Sequence, residues 1–448
     1  DPRALRDSLG LERSIERWAL KGAEPLKVFA RVFAPGDGVD PDTNSAADWT
    51  MSSAPTDGRL NALAGDLNPR DGADDLDPRQ GAGTNAANAG QTVLDAATAG
   101  VVLIGGRGTD FLYGDHRDNV IEGGDHNDLA VGGDGNDRIH GGAGADLLVD
   151  LNGRDLVVGG SGDDMLLAAP EDGRGPKTTG GDVLIGDSIV TTADPVPPAG
   201  RDLIVGGELV DIVFGDSLVL DPANAGAAEL PVDQLAAMLA TKLATPGNAQ
   251  YDAVLHYLQH APGAADQIET RGGNDIVFGQ GGDDVIKAGD GDDTVYGGDG
   301  NDVIDGGAGS DVLVGGAGAD LLKGGAGNDV LQADPLEDTV YGGAGKDTLA
   351  LTMGGVLDLA GAKVQGIEQI DLRGGADLAV KLSVGDIASM TSSGKLTVLG
   401  QAGDQLTLDA TGHTVATHTS GVYTVHVIDN GAAVLKLGPD LQHNVVGV

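Results

Sequence analysis

Along residues 261–350 the apolar positions recur with a period of nine. Ten nonapeptides follow one another without a break, among them GGDGNDVID, GGAGSDVLV, GGAGADLLK and GGAGNDVLQ. Each has aspartate at its sixth place, from Asp266 and Asp275 through Asp338 and Asp347, and an aliphatic residue at the seventh or eighth, as in Val303-Ile304. The glycines at the first, second and fourth places permit positive φ and close backbone approach, which predicts a sharp six-residue turn. The last three residues predict a very short strand with its apolar side chain inward. One nonapeptide then makes half a coil and two make a full coil, so that strands form opposite walls and every second turn stacks on the same edge.

The same pattern marks out the rest of the chain. A first block, within 101–167, holds seven nonapeptides starting at 105, 114, 123, 132, 141, 150 and 159. The one at Gly114 carries Asp118-Asn119 where the others have their sixth-place aspartate, which predicts a weak or empty site. Val101-Val102-Leu103-Ile104 reads as a capping half-coil. Residues 168–220 keep isolated repeats around Asp182, Asp202 and Asp211 between Pro-rich loops. Residues 221–260 change period: Val232, Leu235, Leu239 and Leu243 share one helical face and Tyr251, Val254, Leu255 and Leu258 another, which predicts a two-helix hairpin broken at Pro246-Gly247-Asn248. After 350 the repeats stop, and strand-like runs at 356–359, 367–372, 378–382, 396–399, 405–408, 422–428 and 434–437, with one short helix at 383–390, predict a β-rich cap over 351–448. Residues 1–34 combine a helical stripe with a strand-like alternation, and the remainder of 1–100 is acidic and loop-rich. The fold class expected is all-β: parallel β-roll blocks with a small helical insertion and a β-rich C-terminal cap.

Composition sharpens this picture. Glycine is 76 of 448 residues and aromatics are 3 %, so a conventional globular core is not expected over most of the length. The net charge of −42 argues against nucleic acid and anionic membrane surfaces as partners and points to bound cations. There is no cysteine, hence no disulfide and no thiolate metal site. No stretch approaches the length of an apolar membrane span. The chain opens at Asp1-Pro2 without methionine and is read as a piece of something larger.

The chemistry offered is that of hard oxygen donors, carboxylates and backbone carbonyls converging between stacked turns, which suits Ca2+. The GGxGxD nonapeptides resemble the calcium-binding repeat of RTX proteins. Together with the Cys-free acidic composition and the aspartate-poor tail, they resemble proteins exported by type I secretion. The order of Asp211-Ile212-Val213-Phe214-Gly215-Asp216, a helical insertion, Thr270-Arg271-Gly272-Gly273-Asn274-Asp275 and then the long array is similar to the C-terminal region of giant RTX adhesins. The resemblance covers about residues 101–448. It implies Ca2+, about a dozen ions or more, held by Asp110, Asp128, Asp137, Asp146, Asp155, Asp164, Asp182, Asp202, Asp211, Asp275, Asp284, Asp293 and Asp347. In the best-preserved turns it implies ligands from Gly297, Asp299, Asn301, Asp302, Gly306, Ala308, Ser310, Asp311, Gly315, Ala317, Ala319, Asp320, Gly324, Ala326, Asn328 and Asp329. It further implies bacterial type I secretion machinery as a partner, an uncleaved export signal in roughly the last sixty residues, and a secreted, extracellular or cell-surface location.

Other chemistry is weakly represented. Phe214-Gly215-Asp216-Ser217-Leu218 imitates the nucleophile block of GDSL hydrolases, but Gly186-Asp187-Ser188 shows the same drifted turn, and HExxH and GxSxG are absent. His256 and His260 sit four apart on a predicted helix with no third ligand nearby, and read as a polar face. Asp40-Pro41-Asp42-Thr43-Asn44 lacks the glycine and the final glutamate of an EF-hand loop. The expected function is therefore non-enzymatic: a secreted structural or adhesive calcium-binding module, with possible self-association or a cell-surface ligand. A surface-layer or matrix lattice subunit and the repeat tail of a secreted enzyme or toxin stand as alternatives.

Overall fold

In the computed structural model the described residues are 102–114, 117–150, 152–168, 181–191, 199–207, 209–220 and 263–448. The predicted elements of 1–100, the Val101 end of the capping half-coil, the predicted hairpin of 221–260, and with it His256 and His260, lie outside them. The chain forms two compact units, Asp1–Ile268 and Glu269–Val448.

In the second unit the repeat is a coil of two parallel walls. One wall stacks Ile276–Gly281, Thr294–Asp299, Val312–Ala317, Val330–Gln332 and Thr348–Ala350; the other stacks Val285–Asp290, Val303–Ala308, Leu321–Gly327 and Thr339–Gly345. Equivalent places pair with each other one coil on: Val303 with Leu321, Ile304 with Leu322, Gly307 with Gly325. The eighth place points inward. Ile286, Val295, Ile304, Leu313, Leu322, Leu331 and Val340 are fully buried, each contributing about 1.5–3 kcal/mol of apolar burial. The seventh place points out, with Val312 and Val330 exposed. Most strands run six or seven residues rather than the expected three, because the pairing carries on past the aliphatic residue through the glycine pair that opens the next turn.

The glycines divide the work differently from the sequence expectation. Second- and fourth-place glycines do take left-handed φ, for example +103° at Gly307 and +139° at Gly309. The first-place glycine does not. A Cβ on Gly306 would lie 2.4 Å from Oδ2 of Asp311 and 2.8 Å from the Gly324 carbonyl oxygen. That glycine is required by the carboxylate it faces, not by its own backbone.

The coil does not end with the repeats. Lys363–Gln365 extends one wall, and Gln369–Asp371, Lys395–Leu399 and Ala433–Leu437 extend the other in the same parallel sense. A further parallel sheet of Gly355–Asp358, Leu378–Ser383, Gln405–Asp409 and Gln442–Val446 joins them. Only Val415–Ser420, Tyr423–Ile428 and Ala433–Leu437 form an antiparallel meander. The helix Val384–Met390 is where the sequence places it. Ser383 caps it, accepting from the Asp386 N–H while the Asp386 carboxylate accepts from Ser383.

The first unit follows the same plan. Val102–Arg107, Val120–Asp125, Arg138–Ala143, Leu156–Ser161, Val183–Ile185 and Ile212–Phe214 form one wall. Phe111–Tyr113, Leu129–Val131, Leu147–Asp150, Met165–Ala168 and Leu203–Val205 form the other. Its outward places differ from those of the second unit. Leu129, Val131, Leu147 and Val149 are buried in an apolar cluster with Phe111, Met165 and Leu167 against them, whereas at the ninth places, equivalent to Val131, Val149 and Leu167, the second unit offers Lys287, Asp305 and Lys323.

Candidate metal centre

Each turn ends on its sixth-place aspartate, and the coil stacks these aspartates in two columns. In the second unit the Asp275 N–H donates to Oδ1 of Asp293, Asp293 to Asp311, Asp311 to Asp329 and Asp329 to Asp347, at 2.8–3.0 Å. On the other wall Asp284 donates to Asp302, Asp302 to Asp320 and Asp320 to Asp338, all at 2.9 Å. One carboxylate oxygen is therefore fixed by an amide one coil back. The other is turned into its own turn. No donor of the protein reaches Oδ2 of Asp293, Asp302, Asp311, Asp320, Asp329 or Asp347, although each of these aspartates is almost fully buried.

The first unit carries the columns through its interruptions. Asp110, Asp128, Asp146, Asp164, Asp202 and Asp266 form one, each N–H donating to the next Oδ1 at 2.7–2.8 Å. Asn119, Asp137, Asp155, Asp182 and Asp211 form the other, at 2.5–2.9 Å. Asp182, Asp202 and Asp211, separated in sequence by loops, thus stand in the same ladder as the regular repeats. Oδ2 of Asp128, Asp146, Asp155, Asp164 and Asp202 has no donor.

Burying such carboxylates side by side raises their proton affinity. Burial, with neighbouring aspartates adding to it, pushes Asp128 and Asp164 up to about 9, Asp202 and Asp302 to about 8 and Asp311 to about 7. Desolvation is the largest cause in each, partly offset by the backbone N–H that each carboxylate accepts.

Four turns show what fills the cradle when protein does. At Asp338 the Asp334 N–H donates to Oδ2 at 2.6 Å, across the glycine-free turn that contains Pro335. At Asp211 the Gly207 N–H does so at 2.8 Å. At Asp404, a buried aspartate of the cap that the sequence reading passed over, the Gln401 N–H does so at 2.8 Å while Leu378 holds Oδ1. The fourth turn is that of Asn119. Its side-chain NH2 donates to the Arg117 carbonyl, to the Gly132 carbonyl at 3.4 Å and to Oδ1 of Asp137 at 3.0 Å. A positively polarised group thus sits among three oxygens: the carbonyl of the fourth place, the carbonyl of the first place one coil on, and the next aspartate. That is the donor set a hard cation takes, so the residues present fit Ca2+.

The best-preserved turns place the remaining sequence candidates. The carbonyls of Gly315 and Gly324 lie at the cradles of Gly297 and Gly306, and Gly297 and Gly306 themselves face Oδ2 of Asp302 and Asp311. The third-place carbonyls of Asp299, Ala308, Ala317 and Ala326 accept the N–H of Gly282, Gly291, Gly300 and Gly309 at 2.7–2.8 Å, which ties successive turns together. The fifth place forms a second, solvent-facing ladder: the Asn301 N–H donates to Asp283, Ala319 to Asn301, Ser310 to Asp292 and Asn328 to Ser310. Sequence reading missed this outer ladder. Its signal is the run of Asn, Asp and Ser at the fifth place every eighteen residues. Asp150 and Asp187 were also missed. Asp187 is fully buried with Oδ1 held by the Gly200 N–H.

Among the described residues no helix is long and apolar enough to cross a membrane. A search of curated proteins finds no match to the chain. The profile of the RTX calcium-binding nonapeptide repeat (4 copies) matches residues 104–139, 131–166, 269–304, 278–313, 305–337 and 324–354. These matches fall on the two regular stretches of the columns, and the chain carries RTX calcium-binding nonapeptide repeats there, folded as a β-roll.

Proposed function

We propose that the chain is a non-catalytic, secreted structural or adhesive module that folds when it meets calcium outside the cell. The observation that carries the reading is the row of buried Oδ2 atoms with no protein donor in turns such as those of Asp302, Asp311 and Asp320. A buried carboxylate without a partner costs several kcal/mol. A cation in each cradle offsets that cost, so folding and ion binding become one event. A chain without cysteine and with few aromatics, whose array waits for an ion scarce in the cytosol, suits export in an unfolded form. Its partner in that step is type I secretion machinery, with the export signal in the C-terminal tail.

The test uses the full chain. Circular dichroism in chelator should show little strand signal from the array, and millimolar calcium should restore it, with an uptake of many ions per chain by equilibrium dialysis. A complete β signal in chelator would overturn the reading.

A further inference from the structure

Asp150 stands where the repeat has glycine: its nonapeptide reads DLNGRDLVV, directly after GGAGADLLV. Neighbouring turns show where a side chain at that place must go. A Cβ on Gly141 would lie 2.4 Å from Oδ2 of Asp146, and one on Gly159 would lie 2.5 Å from Oδ2 of Asp164. A first-place side chain is thus directed into the cradle of its own aspartate, here Asp155. Asp150 closes the strand Leu147–Asp150 and is 2 % exposed. Its carboxylate also reaches the turn one coil earlier. Oδ1 of Asp150 lies 2.7 Å, and Oδ2 of Asp137 2.4 Å, from the point a Cβ on Gly132 would occupy. One carboxylate oxygen from each of Asp137, Asp150 and Asp155 lies within 4.8 Å of the other two, and all three side chains are buried.

A second observation points to a ligand there. Asp155 is 0 % exposed, its Oδ1 accepts the Asp137 N–H at 2.5 Å, and no protein donor reaches its Oδ2. In an ordinary rung the cation meets its own aspartate and the next one in the column, each shared with an adjoining rung, which leaves about one negative charge per ion. Asp150 adds a further carboxylate that belongs to this rung, about two negative charges per ion, and so balances a divalent cation. Ligand charge count is a principal control of calcium affinity.

We propose that Asp137, Asp150 and Asp155 form a three-carboxylate calcium site, the tightest of the first repeat block, which fills before the ordinary rungs. The proposal rests on the calcium reading given above. Its rival is that Asp150 plugs the rung and excludes the ion.

The experiment is calorimetric titration of the full chain with calcium, comparing wild type, Asp150→Gly and Asp150→Asn. Glycine restores the residue the repeat has elsewhere, and asparagine keeps the shape while removing the charge. Circular dichroism in calcium checks that both fold. The expected wild-type isotherm contains a tight phase of about one ion that is weakened about tenfold or more in both variants, with the other phases unchanged. Superimposable isotherms, or a gain of affinity in Asp150→Gly, would overturn the three-carboxylate site and leave the ladder intact. No calcium uptake by any of the three proteins would overturn the ladder reading itself, and this proposal with it.

Discussion

A single aspartate in this chain does two jobs with its two oxygens. Oδ1 of Asp311 holds the Asp293 amide, while Oδ2 faces its own turn without a protein donor. Oδ2 of Asp338 is held by the Asp334 amide instead. Asp311→Ala should therefore lower both calcium stoichiometry and affinity in a calcium titration. Asp338→Ala removes no cradle of its own and only the outer carboxylate of the Asp320 rung, so it should lower affinity less than Asp311→Ala while costing about 1–3 kcal/mol of stability from the unpaired amides. Equal losses of affinity would contradict the distinction. Protons are the competing ligand. Without calcium, Asp128 at about 9 and Asp302 at about 8 bind protons in the folded chain that an unfolded aspartate has already released. Their folded affinities are raised, so their contribution is fully present below the unfolded value near 4 and is lost as pH climbs through about 8 to 9. In chelator the little strand signal the array retains at neutral pH should grow as pH is lowered towards about 5 and vanish towards about pH 9, and calcium uptake near neutral pH should release protons. A strand signal in chelator that grows as pH rises over that range would contradict the burial argument.

The elements differ in how much of them the sequence discloses. The nonapeptide register put Ile304, Leu313 and Leu322 in the core and stacked the sixth-place aspartates, because both follow from a strict period. The short helix expected at 383–390 is present as Val384–Met390, with Ser383 as its cap and Val384, Ile387 and Met390 buried. The strand Lys363–Gln365 was not, since one buried valine between two exposed polar residues carries no periodic signal. The parallel continuation of the coil beyond 350 was hidden for the same reason: its turns lack the glycine–aspartate signature, and register there comes from pairing across distant residues such as Thr397 and Lys436. Asp404 supplies the repeat's aspartate in that region, with both oxygens already held by amides. The cap strands should accordingly keep their structure in chelator. Hydrogen exchange should find Lys395–Leu399 and Ala433–Leu437 protected while Thr294–Asp299 and Val303–Ala308 exchange freely. Uniform protection, or uniform loss, would contradict the difference between amide-closed and ion-requiring turns.

At the scale of the molecule the long array is two columns interleaved in one chain. Asp275, Asp293, Asp311, Asp329 and Asp347 are linked to one another, and Asp284, Asp302, Asp320 and Asp338 likewise, with each link spanning eighteen residues. Sequence neighbours nine apart belong to different columns. Asp302→Ala should therefore expose the Asp284 amide, whose acceptor it removes, and leave the amides of Asp293 and Asp311 protected in calcium. Faster exchange spreading equally to all three would show the columns to be coupled. If they are separate, the roll is built with redundancy. A lesion runs up and down one side like a dropped stitch, while the opposite side goes on holding the pitch. Such an array can lose a rung to mutation or to a passing shortage of calcium and still keep its other column in register.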